Sequence, residues 1–128
     1  MKKLIFAILL TFSTLALAGP DKIKQIDKQI MNHLFNTELR QADSLINLQI
    51  NNNPDHPKYY VLKANYLFYS RYFTRGLNRD SILQLIIENS NKAITLGEKF
   101  DKTTEVKFYL GSAYGYKTRL NRNNMWEA

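Results

Sequence analysis

Apolar residues recur three and four positions apart in five separate segments of this chain, and no segment sustains an alternation of period two. That spacing builds amphipathic helices, and its uniformity leaves no candidate strand. Ile23, Ile26, Ile30 and Leu34 form the stripe of the first segment; Leu39, Ala42, Leu45 and Ile46 form that of the second. The run NNNPDHP separates the second from the third, because the residue before each proline is pushed out of the helical region. In KYYVLKANYLFYSRYF the apolar positions cover most of the circumference: Tyr60, Ala64 and Leu67 on one line, Tyr59, Leu62, Tyr66, Tyr69 and Phe73 on another. A helix apolar on most sides is packed on most sides, so this one is expected in the centre.

A fourth helix, capped by Asp80 or Ser81, turns Ile82, Leu85, Ile86, Ala93, Ile94 and Leu96 inward and ends at Gly97 as a left-handed cap. Asn36 or Thr37 is the expected cap of the second helix. Asp101 or Thr103 is that of the fifth, whose stripe is Val106, Leu110, Ala113 and Leu120. Connections of about three to eight residues join antiparallel neighbours in all-helical proteins.

Before these helices stands a leader. Lys2 and Lys3 supply its charge, Leu4 to Leu15 a short apolar core, and Ala16-Leu17-Ala18 a cleavage signal. A spanning helix needs about 20 apolar residues, and Thr11, Ser13 and Thr14 dilute this run. Residues 1–18 are therefore read as a cleaved signal peptide and 19–128 as one domain, periplasmic or secreted, with no stable membrane span after cleavage. The chain has no cysteine, which excludes a lipoprotein anchor, a disulfide framework and thiolate chemistry. Loss of Lys2 and Lys3 lowers the net charge from +7 to +5, spread without a block. Such a charge favours acidic partners by steering, and an exported chain has little occasion to meet nucleic acid.

Within the fifth helix, Leu110-Gly111-x-x-Tyr114 sets a large residue, a small one and an aromatic in order; in the third, Ala64 and Leu67 take the small and large positions, with Tyr60 as a leading aromatic. Ala42, Ile46 and Pro54 carry the alanine, bulky and proline spacing of a second helix, and Met125 to Ala128, with Ala128 as the small residue, look like another beginning after a turn at NRNN. The chain resembles the tetratricopeptide repeats in these positions. The resemblance implies an all-α fold: helix hairpins stacked as a short right-handed α-solenoid of about five helices, incomplete at its C-terminus, with a concave groove lined by the first helices. It also implies that Gly111 is a point of close helix contact. Ala64 and Gly111 lie 47 positions apart, against about 34 for one such unit, and the extra length falls in long helices and the TRGLNRD loop.

No metalloprotease, nucleophile-elbow or phosphate-loop motif occurs, and His33 and His56 stand isolated. No catalysis, metal or cofactor is expected. The groove is expected to hold a protein or peptide, making the domain an adaptor or scaffold. The contrasting reading is a solute- or envelope-polymer-binding domain built on residues 66–79, where tyrosines interleave with arginines. Groove or rim candidates are Tyr66, Arg71, Tyr72, Arg75, Arg79 and Tyr116. Helical spacing alone assigns Tyr66, Tyr69 and Phe73 to the core, and Trp126 to packing on the fifth helix. Val106, Phe108, Tyr109, Leu110 and Tyr114 exceed what one neighbour can cover, so the fifth helix is expected to expose apolar surface and favour self-association. Mass spectrometry of the exported protein is expected to give Gly19 as its first residue; a membrane-retained chain starting at Met1 contradicts the leader reading.

Overall fold

A computed structural model describes residues 20–73 and 78–126, with side chains over 24–73 and 78–120. The leader, Arg75, Ala128 and the side chain of Trp126 lie outside the described residues. Within them the chain is all-helical: α1 Pro20–Phe35, α2 Leu39–Asn52, α3 Pro57–Phe73, α4 Arg79–Lys99 and α5 Thr104–Trp126. No strand occurs among the described residues.

The helix ends show which local signals act. Pro20 and Pro57 open α1 and α3, where a missing N–H costs nothing. Thr37 does not cap α2. It closes α1 in the left-handed conformation, at φ 59°, with Thr37 N–H bonded to Leu34 O (3.2 Å) and Glu38 N–H to His33 O (2.8 Å). That pair of bonds is a Schellman closure, in which glycine usually holds the left-handed place. The α4 cap falls earlier than Asp80: the Asn78 side chain accepts from Asp80 N–H at 3.0 Å. Thr103 caps α5 as expected, accepting from Val106 N–H at 3.3 Å. NRNN is not a turn, because α5 runs unbroken to Trp126; no separate sixth helix begins at Met125.

Consecutive helices pack on one another, and α3 also packs on α5. α3 is the centre, as its circumference predicts. On one side Tyr59 and Leu62 join Ile30, Leu34, Ala42 and Ile46. Elsewhere Ala64 and Leu67 meet Ile82, Ile86 and Leu120, and Val61 meets Ala93, Ile94 and Ala113. A fully buried side chain of this size is worth about 1.5–3 kcal/mol, so three clusters sharing one helix make α3 the element the others depend on. Tyr69 and Phe73 are exposed rather than core, and so is Leu85.

The glycines exchange roles. Gly97 is buried inside α4, not a terminal cap, and a Cβ built on it lies 2.2 Å from Leu110 Cδ2. A Cβ on Gly111 or Gly115 meets nothing within 4 Å. The close approach of α4 and α5 is therefore made by Gly97 receiving Leu110, and the small buried residue of α5 is Ala113. Gly97→Val is expected to lower stability by about 1–3 kcal/mol through overpacking. Gly111→Ala is expected to raise it by up to about 1 kcal/mol through helix propensity. Urea midpoints read both, and equal midpoints for wild type and Gly97→Val contradict the assignment.

Candidate functional site

Where α3 and α5 lie side by side, Asn65 and Phe68 from α3 face Ser112, Gly115, Tyr116 and Arg119 from α5 across a cavity of about 390 Å³. The α5 residues recur at three- and four-residue steps, so one helix face supplies them all. Phe68 is the hub. Its ring lies 5.5 Å from that of Tyr116 and 6.0 Å from those of Tyr69 and Tyr72. Two guanidiniums stand over it, Arg71 at 3.9 Å and Arg119 at 5.5 Å. Arg71 also stacks on Tyr72 at 4.6 Å and donates to its hydroxyl.

Stacking holds a guanidinium flat and leaves its in-plane donors free for a partner. The Tyr116 hydroxyl donates to Asn65 Oδ1. Burial pushes its pKa up to about 12, aided by Tyr69 and opposed by Arg119 and Arg71, so it stays a neutral donor. With no Cβ at Gly115, the backbone of α5 lies bare along this wall.

Of the residues expected from sequence, Arg71, Tyr72 and Tyr116 come together here. Arg79 joins Arg71, Tyr72 and Ile82 around an adjoining cavity of about 360 Å³. Tyr66 belongs elsewhere: it is half-buried near the α2–α3 seam, with Lys63 Nζ 5.0 Å from its ring centre and Asp43 close by. Asn65, Phe68, Ser112, Gly115 and Arg119 are the site residues that sequence reasoning missed. The regular spacing on α5 was the one visible signal for Ser112, Gly115 and Arg119.

No protein family, curated protein or solved structure matches this chain. The site must therefore be judged on its own chemistry. Among the described residues no group of three or more His, Asp or Glu side chains is placed to hold a metal ion. A second, wider hollow of about 770 Å³ between α1 and α2 is bordered by Asn32, Gln41 and Ser44, with His33 paired to Glu38 at 2.5 Å. No Phe, Tyr or Trp lines it among the described residues, and its amides are those of a solvated helix seam.

One polar cluster lies apart from the site, at the first turn of α3. Lys58 is only 3% exposed and pairs with Asp27 of α1 and, at 3.1 Å, with Glu105 of α5. Asp27 is 15% exposed and Glu105 55%, so the bond to Asp27 carries most of the energy and that to Glu105 is screened by water. The Tyr59 hydroxyl and Asp27 Oδ1 are buried without a well-aligned hydrogen bond. Burial first, and then the Asp27 charge, raise the Tyr59 pKa above its ordinary value. The same causes hold Tyr109 up at about 12.

His56 seals one end of this cluster. Its ring sits 4.6 Å from Phe100 and 5.4 Å from Tyr59, and its Nδ1 accepts from Lys58 N–H at 3.3 Å. Burial, then the Lys58 charge, lower its pKa below 6.5, with Glu105 and Asp27 opposing. A histidine held neutral in the fold takes up its proton more readily when unfolded. Its contribution to stability is therefore present above pH 6.5 and lost as pH falls below that value. Urea midpoints measured from about pH 7 to about pH 5 should fall less steeply in His56→Gln than in wild type. Parallel slopes for the two proteins contradict this account.

Proposed function

We propose that this is an exported helical-repeat adaptor of tetratricopeptide-like build that holds a protein or peptide partner in the groove lined by α1, α3 and α5. In this reading α1–α2 and α3–α4 are stacked hairpins, and α5 is the first helix of a third. Supporting it, the odd-numbered helices are linked through Lys58, with bonds to Asp27 and Glu105. Binding is proposed in place of catalysis because the groove offers flat contact and donors rather than a converging acid, base and nucleophile.

The observation that carries this reading is the Phe68 hub. An aromatic ring under two guanidiniums, open to a cavity and next to bare helix backbone, has the composition of a protein-binding hot spot. Its donors, Arg71 and Arg119, can meet the carbonyls and side chains of an extended segment, and Phe68 and Tyr116 supply apolar area at low entropy cost.

A photo-crosslinking residue placed at Ser112 in cells is expected to capture one partner reproducibly. Gly115→Arg should abolish the adduct by filling the cavity without disturbing the fold, since open space surrounds that position. Arg119→Ala should weaken binding of the captured partner about tenfold or more. An adduct that survives Gly115→Arg, or none at all, removes this groove as the site.

A further inference from the structure

A separate surface adjoins the groove at the end of the domain where α3 and α4 meet. Tyr69, Tyr72 and Phe73 occupy positions three and four apart, hence one face of α3. All three are exposed, Tyr72 by 65% and Phe73 by 60%. Beside them Arg71, Tyr72, Arg79 and Ile82 line the 360 Å³ cavity, into which, among the described residues, two guanidiniums and a phenol bring donors and no carboxylate. The nearest acid in sequence, Asp80, lines a different cavity with Leu83, Gln84, Ile87 and Glu88. Among the described residues, neither Arg71 nor Arg79 has an acidic partner.

Aromatic rings flanking unpaired arginines suit the boundary between water and lipid, where rings settle at the headgroup level and cations meet anionic phospholipid. No described helix is long and apolar enough to cross a membrane.

We propose that this end of the domain docks on an anionic phospholipid surface, with a headgroup phosphate seated between Arg71 and Arg79 and with Tyr72 and Phe73 entering the headgroup layer. The geometry divides the work. Stacking on Phe68 and Tyr72 fixes the Arg71 guanidinium. Arg79 sits at the first position of α4, at the positive end of that helix's dipole, so the helix terminus adds to the field on an oxyanion. Buried Ile82 closes the bottom of the cavity. Net positive charge on the chain steers it toward such a surface. The lining of this cavity is distinct from that of the Gly115 cavity, but Arg71 borders both surfaces, so occupancy of one weakens the other wherever both need Arg71.

The absence of native cysteine permits a local test on the full chain. A fluorophore on Ser81→Cys reports this end, and one on Thr95→Cys reports the far end of the same helix, about 21 Å away. Vesicles of phosphatidylglycerol with brominated chains should quench the first label and spare the second. Phosphatidylcholine vesicles should quench neither. Arg71→Gln with Arg79→Gln should lower the vesicle affinity read at position 81 about tenfold or more. Phe73→Ser, which alters an exposed side chain, should do so independently if the double variant fails to fold.

Equal quenching at both labels, quenching that persists in these variants, or equal quenching by phosphatidylcholine overturns the proposal. So does a response of the Ser81 label to inorganic phosphate with no quenching by vesicles, which assigns the cavity to a free anion.

Discussion

The arrangement of this domain depends on a lysine where hydrophobic packing would predict an apolar side chain. Lys58 lies at the first turn of the central helix, is almost wholly buried, and joins α1 and α5 to α3 through Asp27 and Glu105. A buried cation left alone would cost several kcal/mol, and removing one partner of such a pair typically costs about 3–5 kcal/mol. The pair therefore contributes little net stability but strongly disfavours any register in which Lys58 and Asp27 do not meet. Tyr59, Tyr109 and His56 crowd around it and exclude water, which raises the penalty for separating the charges. Apolar clusters supply most of the cohesion, and this polar junction selects which way the odd-numbered helices sit.

That selection has a consequence for the groove. The Phe68 hub draws one wall from α3 and the other from α5, and these helices are joined in sequence only through α4. Their relative placement is set by Val61 packing in one cluster with Ala113 and, further along, by Tyr116 on Asn65. The second contact is itself part of the candidate site, so a partner that displaced the Asn65–Tyr116 bond would act directly on the spacing of the two helices.

Much of the fold was legible in the sequence because periodicity depends only on local spacing. Five helices, the central position of α3, the stop at NNNPDHP, the Thr103 cap, and the burial of Ile30, Ala42, Ile46 and Ala64 all follow from it. What it misplaced depended on neighbours. Gly97 and Gly111 are chemically identical, and only the approach of Leu110 decides which is the contact. NRNN looks like a turn, yet asparagine costs a helix at most about 0.7 kcal/mol, and with no proline or glycine the helix continues to Trp126. Tyr69 and Phe73 match a core spacing, yet both side chains are exposed, because no neighbouring apolar cluster reaches them among the described residues. Thr37 takes a left-handed conformation that its β-branched side chain disfavours, because the Schellman bonds closing α1 hold it there.

The candidate site was half legible for the same reason. Arginine and tyrosine interleaved over residues 66–79 signal contact chemistry, and that signal led to Arg71, Tyr72 and Arg79. Spacing alone could not say that Phe68 would lie beneath Arg119 across the groove, or that Tyr66 would turn away toward Lys63 and Asp43. Arg71 thus has two potential duties, one toward the cavity shared with Arg79 and one toward the ring it shares with Arg119. A flat guanidinium stacked on Phe68 can serve both, since its stacked face meets the ring while its edge carries the donors. The consequence is coupling: an anion drawn to the Arg79 side competes for the same donors as a partner in the groove, and by linkage each weakens the other wherever both need Arg71.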